Sequence, residues 1–317
     1  MNFRQPPPIN QGTTVRIISP GAAVNATHVL RGKEYLESRG LRVSMPPSVI
    51  ERSFYFAGTK ESRAKELYEA FTQDGMVWGA KGGYGSVQVL EHGLSASQFE
   101  KLVGSLKQNP KWVIGFSDLT AINLGLCANA GILALHGPMI WNLRDIPQLI
   151  LEEVWAILRG PEPITQVFKG GLRNVDSSRG ILASGKLLGG KISVIASMVG
   201  ANAMTGQNLL PDFNGCILLL EEVGEAAYKI HRYLSTILRS KQFNGVAGIP
   251  IGQLTSANEG LAYDAQDMID ELEPVGVPVI TGINIGHESK ISRPIVLGAM
   301  AEILGEGILK VKVPKCV

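Results

Sequence analysis

Ser117 lies between an apolar run and a helical pattern, in KWVIGFSDLTAINL (111–124). A serine on a tight turn from a buried strand into a helix projects its oxygen clear of the sheet. Backbone N–H groups at the helix start then face any oxyanion that develops there. Gly115, two residues earlier, suits the close approach of such a turn, but the second glycine of the common hydrolase pattern is replaced by Leu119. On local pattern alone a plain cap is favoured, since Ser117 and Asp118 are both residue types that accept N–H bonds from a first helical turn.

A nucleophilic serine needs a base and a group to orient it. Of the five histidines, His28 and His231 fall in helical patterns and His92 ends one. His136 (LALHGP) and His287 (NIGHES) each follow an apolar strand and precede a turn, so both stand as bases. The apolar run CILLLEEVGE ends in Glu221 and Glu222, where a charge is costly unless paired or working. Glu221 is the better orienting acid, and because adjacent strand residues point to opposite faces, at most one of the two glutamates enters a site. The turn AKGGYGS (80–86) has the backbone freedom to present N–H groups to an anion, or simply to make a tight bend. GKLLGGK (185–191) has the spacing of a phosphate-binding loop, but Ile192 follows where a metal-ligating hydroxyl is required.

These residues need a scaffold with several strand ends close together. TVRIISPG (14–21), LRVSMPP (41–47), MVWGAKGGYGS (76–86), KWVIGF (111–116) and ILALHGPM (132–139) read as strands, with helical patterns at 28–40, 60–73, 95–109 and 118–131. That alternation predicts a mostly parallel α/β sheet, in which ligands collect at the carboxyl ends of the strands. We expect this N-terminal α/β domain over residues 1–147, a linker over 148–178 containing one helix, and a second α/β domain over 179–317. The second domain should hold strands at GILASGKLL, GCILLLEE, GVAGIPIGQL, VPVITGINIG and PIVLGAMAEIL. Its helices are expected near SVIASMVG, AAYKIHRYLSTILRS and AQDMIDELEPVG (265–276).

Composition narrows the function class. The 317 residues are 45% hydrophobic, enough for two cores, and 30 basic against 28 acidic residues leave a formal charge of +2 with no run of one sign. Nothing in that balance points to nucleic acid or an anionic membrane. Three widely spaced cysteines fit free thiols in a reducing compartment, and no apolar stretch reaches the length of a membrane span. A soluble cytoplasmic protein is expected.

The motifs RIISPG, AKGGYGS, IGFSDLTAI, LHGPM, GKLLGGKISVI, LLLEEVGEAAYKIHRYL and GINIGH, in this order and over nearly the whole chain, resemble the LD-carboxypeptidases. These are serine peptidases that trim murein tetrapeptides and include relatives conferring microcin C immunity. The resemblance implies Ser117 as nucleophile, His287 as base and Glu221 as its orienting acid. It also implies an oxyanion hole from the backbone N–H groups of Asp118 and Gly83, a homodimer, and no metal or cofactor. The implied substrate is the L,D-peptide bond before a terminal D-alanine. The alternatives are a peptidyl-aminoacyl-adenylate acted on by the same triad, or a non-catalytic nucleotide-binding module built on GKLLGGK. Lys191 stands where the family often has asparagine. Its charge suits an acidic group on a substrate, although an exposed lysine that touches nothing is the plainer reading.

Overall fold

The computed structural model describes residues 3–173, 180–255 and 276–316. The first sheet is built from β1 (Thr14–Ile18), β2 (Arg42–Ser44), β3 (Met76–Gly79), β4 (Val113–Ile114) and β5 (Ala134–His136), all parallel, in the order β5-β4-β3-β1-β2. Every residue of β3 is buried, as expected of a central parallel strand covered on both faces. The helices that cover it start on side-chain caps. Thr59 accepts from the Ser62 N–H ahead of the helix Lys60–Thr72, and Ser95 and Gln98 form a reciprocal capping box ahead of Ala96–Gln108. The latter buries Phe99, Leu102, Val103 and Leu106, the i, i+3, i+4, i+7 stripe of an amphipathic helix.

Of the residues expected as a linker, 148–173 are described, and they form a helix and two strands. Gln148–Arg159 is a helix that buries Ile150, Leu151, Val154, Trp155, Ile157 and Leu158. It is followed by β6 (Ile164–Lys169) and β7 (Gly171–Arg173). Both strands belong to a second sheet with β8 (Ile181–Lys191), β9 (Ile217–Val223), β10 (Ile249–Thr255) and β11 (Val279–Thr281). The pairs β8–β9, β9–β10 and β10–β11 are parallel. The helix expected over 265–276 falls, but for Gly276, outside the described residues.

PIVLGAMAEIL is not one strand but two. β12 (Ile295–Leu297) pairs antiparallel with β5 at the edge of the first sheet, whereas β13 (Met300–Leu304) pairs with β8 in the second and turns into β14 (Ile308–Val313). Gly298 between them has φ +84°, a conformation that lets the chain leave one sheet for the other. Both hydrophobic clusters run through the two sheets. One joins Val77 and Val113 to Leu188 and Leu220; the other joins Trp78 and Ile114 to Leu187 and Leu219. The fold is therefore mixed α/β, with a mostly parallel N-terminal sheet and a second sheet that shares both hydrophobic clusters with it.

Candidate active site

β4 ends at Ile114, and the chain turns through Gly115 and Phe116 into a tight helical turn at Ser117–Leu119 that continues into Thr120–Ala128. Ser117 makes no capping hydrogen bond; its φ is +61°, one of two positive values at non-glycine residues among those described. Left-handed backbone at a serine is strained and persists only where the surroundings impose it, as at a nucleophile elbow. Leu119 takes the place of the second glycine because the room it needs is made elsewhere. A Cβ at Gly79 or Gly115 would lie 2.2 or 2.3 Å from Leu119 Cδ2. The bulk has moved from strand and turn to the helix, and the turn is kept.

The glycine-rich segment packs directly on this elbow. A Cβ at Gly82 would lie 2.9 Å from Ser117 Oγ and 3.4 Å from the Asp118 backbone nitrogen, so only glycine leaves the hydroxyl clear. Gly83 follows with φ +105°, and the Cβ direction there points at Ala22 and the Tyr55 hydroxyl. Asp118 locks the two segments together, its Oδ2 accepting from the Ser86 N–H at 2.9 Å and the Ser86 hydroxyl at 2.7 Å. Burial pushes the Asp118 carboxyl above its usual range, against the Ser86 hydrogen bonds that draw it down.

The second sheet brings its own residues to the elbow. Glu221 and Glu222 at the end of β9 are both fully buried and face opposite ways. Glu222 accepts from the Ser193 N–H at 2.8 Å and lies 3.2 Å from Lys191 Nζ. Glu221 Oε2 is 2.8 Å from His287 Nδ1. Burial pushes the Glu221 carboxyl up, but the His287 hydrogen bond and nearby positive charge outweigh it and hold the group below its usual range. A carboxylate bound to Nδ1 fixes the imidazole tautomer with Nε2 as the free base nitrogen. His287 Nε2 is buried and has no hydrogen-bond partner among the described residues, and neither has Ser117 Oγ. The imidazole meets Phe116, the neighbour of Ser117, edge to face at a ring separation of 4.7 Å.

The turn carrying His287 is held by contacts that the sequence did not single out. The Gly286 N–H donates to Ser292 Oγ, the Ser292 hydroxyl lies within bonding distance of the Gly286 carbonyl, and the Glu288 N–H donates to Gln253 Oε1. His136, the other candidate base, also packs against Phe116, at a ring separation of 5.7 Å, and lines the same pocket as His287. It is 2% exposed and neither of its nitrogens has a partner among the described residues. Burial drives its pKa down to about 4, so it is neutral at ordinary pH.

The nucleotide-loop alternative does not survive the fold. GKLLGGK is extended throughout, inside β8, with β9 hydrogen-bonded along it and the Lys191 N–H bound to Thr120 Oγ1. A phosphate cradle needs a loop between strand and helix, and here the strand runs to the lysine itself. Nor is Lys191 an exposed lysine that touches nothing, since its side chain is 14% exposed and paired with Glu222.

Residues 15–137 match the LD-carboxypeptidase N-terminal domain, and residues 184–303 match the LD-carboxypeptidase C-terminal domain. The chain belongs to the LD-carboxypeptidase family. LD-carboxypeptidases are serine peptidases, and several of the relatives are carboxypeptidases by name. A murein tetrapeptide carboxypeptidase of Pseudomonas aeruginosa is 28% identical over 86% of this chain and 87% of its own length. The crystal structure of a muramoyltetrapeptide carboxypeptidase from Oxalobacter formigenes superposes with a TM-score of 0.78 at 25% identity, covering 96% of this chain and 99% of that one. The microcin C7 self-immunity protein MccF of Escherichia coli is 22% identical over 88% of this chain and 87% of its own. Among the described residues, no helix of this LD-carboxypeptidase is long and apolar enough to cross a membrane, and no group of three or more His, Cys, Asp or Glu is placed to hold a metal ion.

Proposed function

We propose that this LD-carboxypeptidase hydrolyses the L,D-peptide bond before the terminal D-alanine of murein tetrapeptide in the cytoplasm, with Ser117 as nucleophile, His287 as base and Glu221 as its orienting acid. It acts as a homodimer and needs no cofactor. The observation that carries this is the buried Glu221–His287 hydrogen bond, which leaves Nε2 free on an imidazole packed against the neighbour of a strained serine.

The chemistry follows from those positions. Ser117 Oγ attacks the scissile carbonyl carbon and its proton passes to His287 Nε2. The imidazolium that forms is stabilised by Glu221, and the backbone N–H groups of Asp118 and Gly83 hold the oxyanion. Collapse of the tetrahedral species returns the proton from His287 to the nitrogen of the departing D-alanine. Water, activated by the same histidine, then releases the acyl group from Ser117. Ser117 Oγ and His287 Nε2 make no hydrogen bond to each other here, and catalytic hydrogen bonds of this kind often form fully only in the complex with substrate.

The test is D-alanine release from murein tetrapeptide by the parent and by Ser117→Ala. The parent should release it, and the variant should fall to background while keeping its melting temperature. Retained turnover in Ser117→Ala would refute the mechanism. A parent that ignores tetrapeptide but cleaves a peptidyl-aminoacyl-adenylate would move the substrate to that of an adenylate hydrolase using the same three residues.

A further inference from the structure

Lys191 occupies the seam between the two halves of the site. It is the last residue of β8, and in the parallel register its Cα lies opposite Glu221. On its other side its backbone N–H donates to Thr120 Oγ1 at 3.1 Å, three residues beyond Ser117 on the same helical segment. Gly190 lets the strand come this close, since a Cβ there would lie 2.4 Å from Thr120 Oγ1. The lysine is thus fixed between the elements that carry the nucleophile and the acid.

Its ammonium has one charged partner, Glu222 Oε1 at 3.2 Å, and no other acceptor among the described residues. Glu222 in turn accepts the backbone N–H groups of Ser193 and Val223, so its negative charge is already shared. An ammonium has three donors, and two of these remain. The field of Lys191 reaches Asp118 beside the nucleophile, Glu221, and Tyr55 beyond the glycine turn, in each case favouring the negative form. Of the other cations, Lys81 adjoins Gly82 in the glycine-rich turn and has no partner among the described residues, and the arginines near the site are otherwise engaged. Arg63 donates to the Pro20 carbonyl and stacks on Phe56, and Arg293 grips Glu153 with two nitrogens.

We infer that Lys191 is a specificity-determining residue, its ammonium receiving a carboxylate of the bound peptide. Resting on the peptidase activity above, this assigns the recognition step of that site. Of the carboxylates of a murein tetrapeptide, the two that flank the scissile bond offer this chemistry beside Ser117, that of the terminal D-alanine and that of the diaminopimelate side chain. Glu222 holds the ammonium in place, and partial burial strengthens its attraction for an incoming anion.

The experiment measures binding by calorimetry on the Ser117→Ala protein, which leaves ligand intact. Three ligands are used: the tetrapeptide, its C-terminal amide, and the tetrapeptide with lysine in place of diaminopimelate. Adding Lys191→Met should weaken the tetrapeptide ~10- to 100-fold, the loss of one charge-assisted hydrogen bond. It should leave unchanged whichever modified ligand lacks the carboxylate that Lys191 holds, which separates the two sources. Lys191→Arg should restore part of the affinity. Because Lys191→Met leaves Glu222 unpaired, the double variant Lys191→Met/Glu222→Gln is measured beside it and should show the same ligand pattern with a recovered melting temperature. Equal losses on all three ligands, no loss, or a carboxylate-dependent loss on Lys81→Met in place of Lys191→Met would overturn the inference. Failure of Ser117→Ala to bind any of the three would instead refute the tetrapeptide reading, and the inference would fall with it.

Discussion

Among single residues, the arrangement turns on small side chains that make room for reactive ones. Gly82 is the sharpest case. Its backbone is not in the left-handed region, so alanine is conformationally acceptable there, yet the added methyl would lie 2.9 Å from Ser117 Oγ. Gly82→Ala should therefore reduce kcat by at least ~100-fold, the scale of a lost oxyanion contact or a displaced nucleophile, while moving the melting temperature by only a few degrees. Steady-state kinetics beside a thermal melt separate that outcome from simple unfolding. The residue types of this site are visible in sequence because serine, glutamate and histidine at strand ends carry chemistry wherever they are buried. Their pairing is not. Glu221 and His287 are 66 positions apart, and nothing local distinguishes His287 from His136. The φ of Ser117, which separates an elbow from a cap, also depends on what Gly82 and Leu119 press against it.

Among the elements, the legible strands are those whose boundaries carry glycine, proline or a run of polar residues. β1 to β5 meet that condition, and the parallel sheet follows from their alternation with helices. β6 and β14 are period-2 strands, ITQVFK and ILKVKV, whose buried face only becomes definite once each has the other as neighbour. The passage from β12 to β13 is the least legible, because an unbroken apolar run hides a change of sheet that only Gly298 marks. Gly298→Ala should cost about 1–3 kcal/mol of stability from backbone strain, before any adjustment of the Phe3 ring that the new methyl would meet. Gly104 is the matched control, a mid-helix glycine whose Cβ would meet open space. Gly104→Ala should stabilise by about 0.5–1 kcal/mol. Urea denaturation of the two variants checks both signs, and a Gly298→Ala protein as stable as the parent would remove the sheet-switching role.

For the molecule as a whole, two buried titratable groups that the chemistry does not use act on stability in opposite directions. Glu66 is 4% exposed, bonded to the Ser19 N–H and the Ser48 hydroxyl, and burial raises its pKa to about 7. Below pH ~4.5 both folded and unfolded chains hold its proton. Between pH ~4.5 and 7 only the folded chain does, so stability falls as pH rises through that window. His136 works the other way. Its folded pKa is about 4, so as pH falls from ~6.5 to 4 the unfolded chain gains a proton that the folded chain refuses, and stability falls with falling pH. Each shift corresponds to about 3 kcal/mol at full extent, and the windows overlap from roughly pH 4.5 to 6.5. There the two slopes cancel, which leaves this pair contributing almost no pH dependence. Removing either group should expose the other. Glu66→Gln should make stability climb from pH ~4.5 to 7 relative to the parent, and His136→Gln should make it decline from pH 4 to ~6.5 relative to the parent. The measurement is the difference between variant and parent urea midpoints across that range, since subtraction removes every other titrating group. Parallel difference curves for the two variants would contradict the opposed signs and with them the burial of one group or the other.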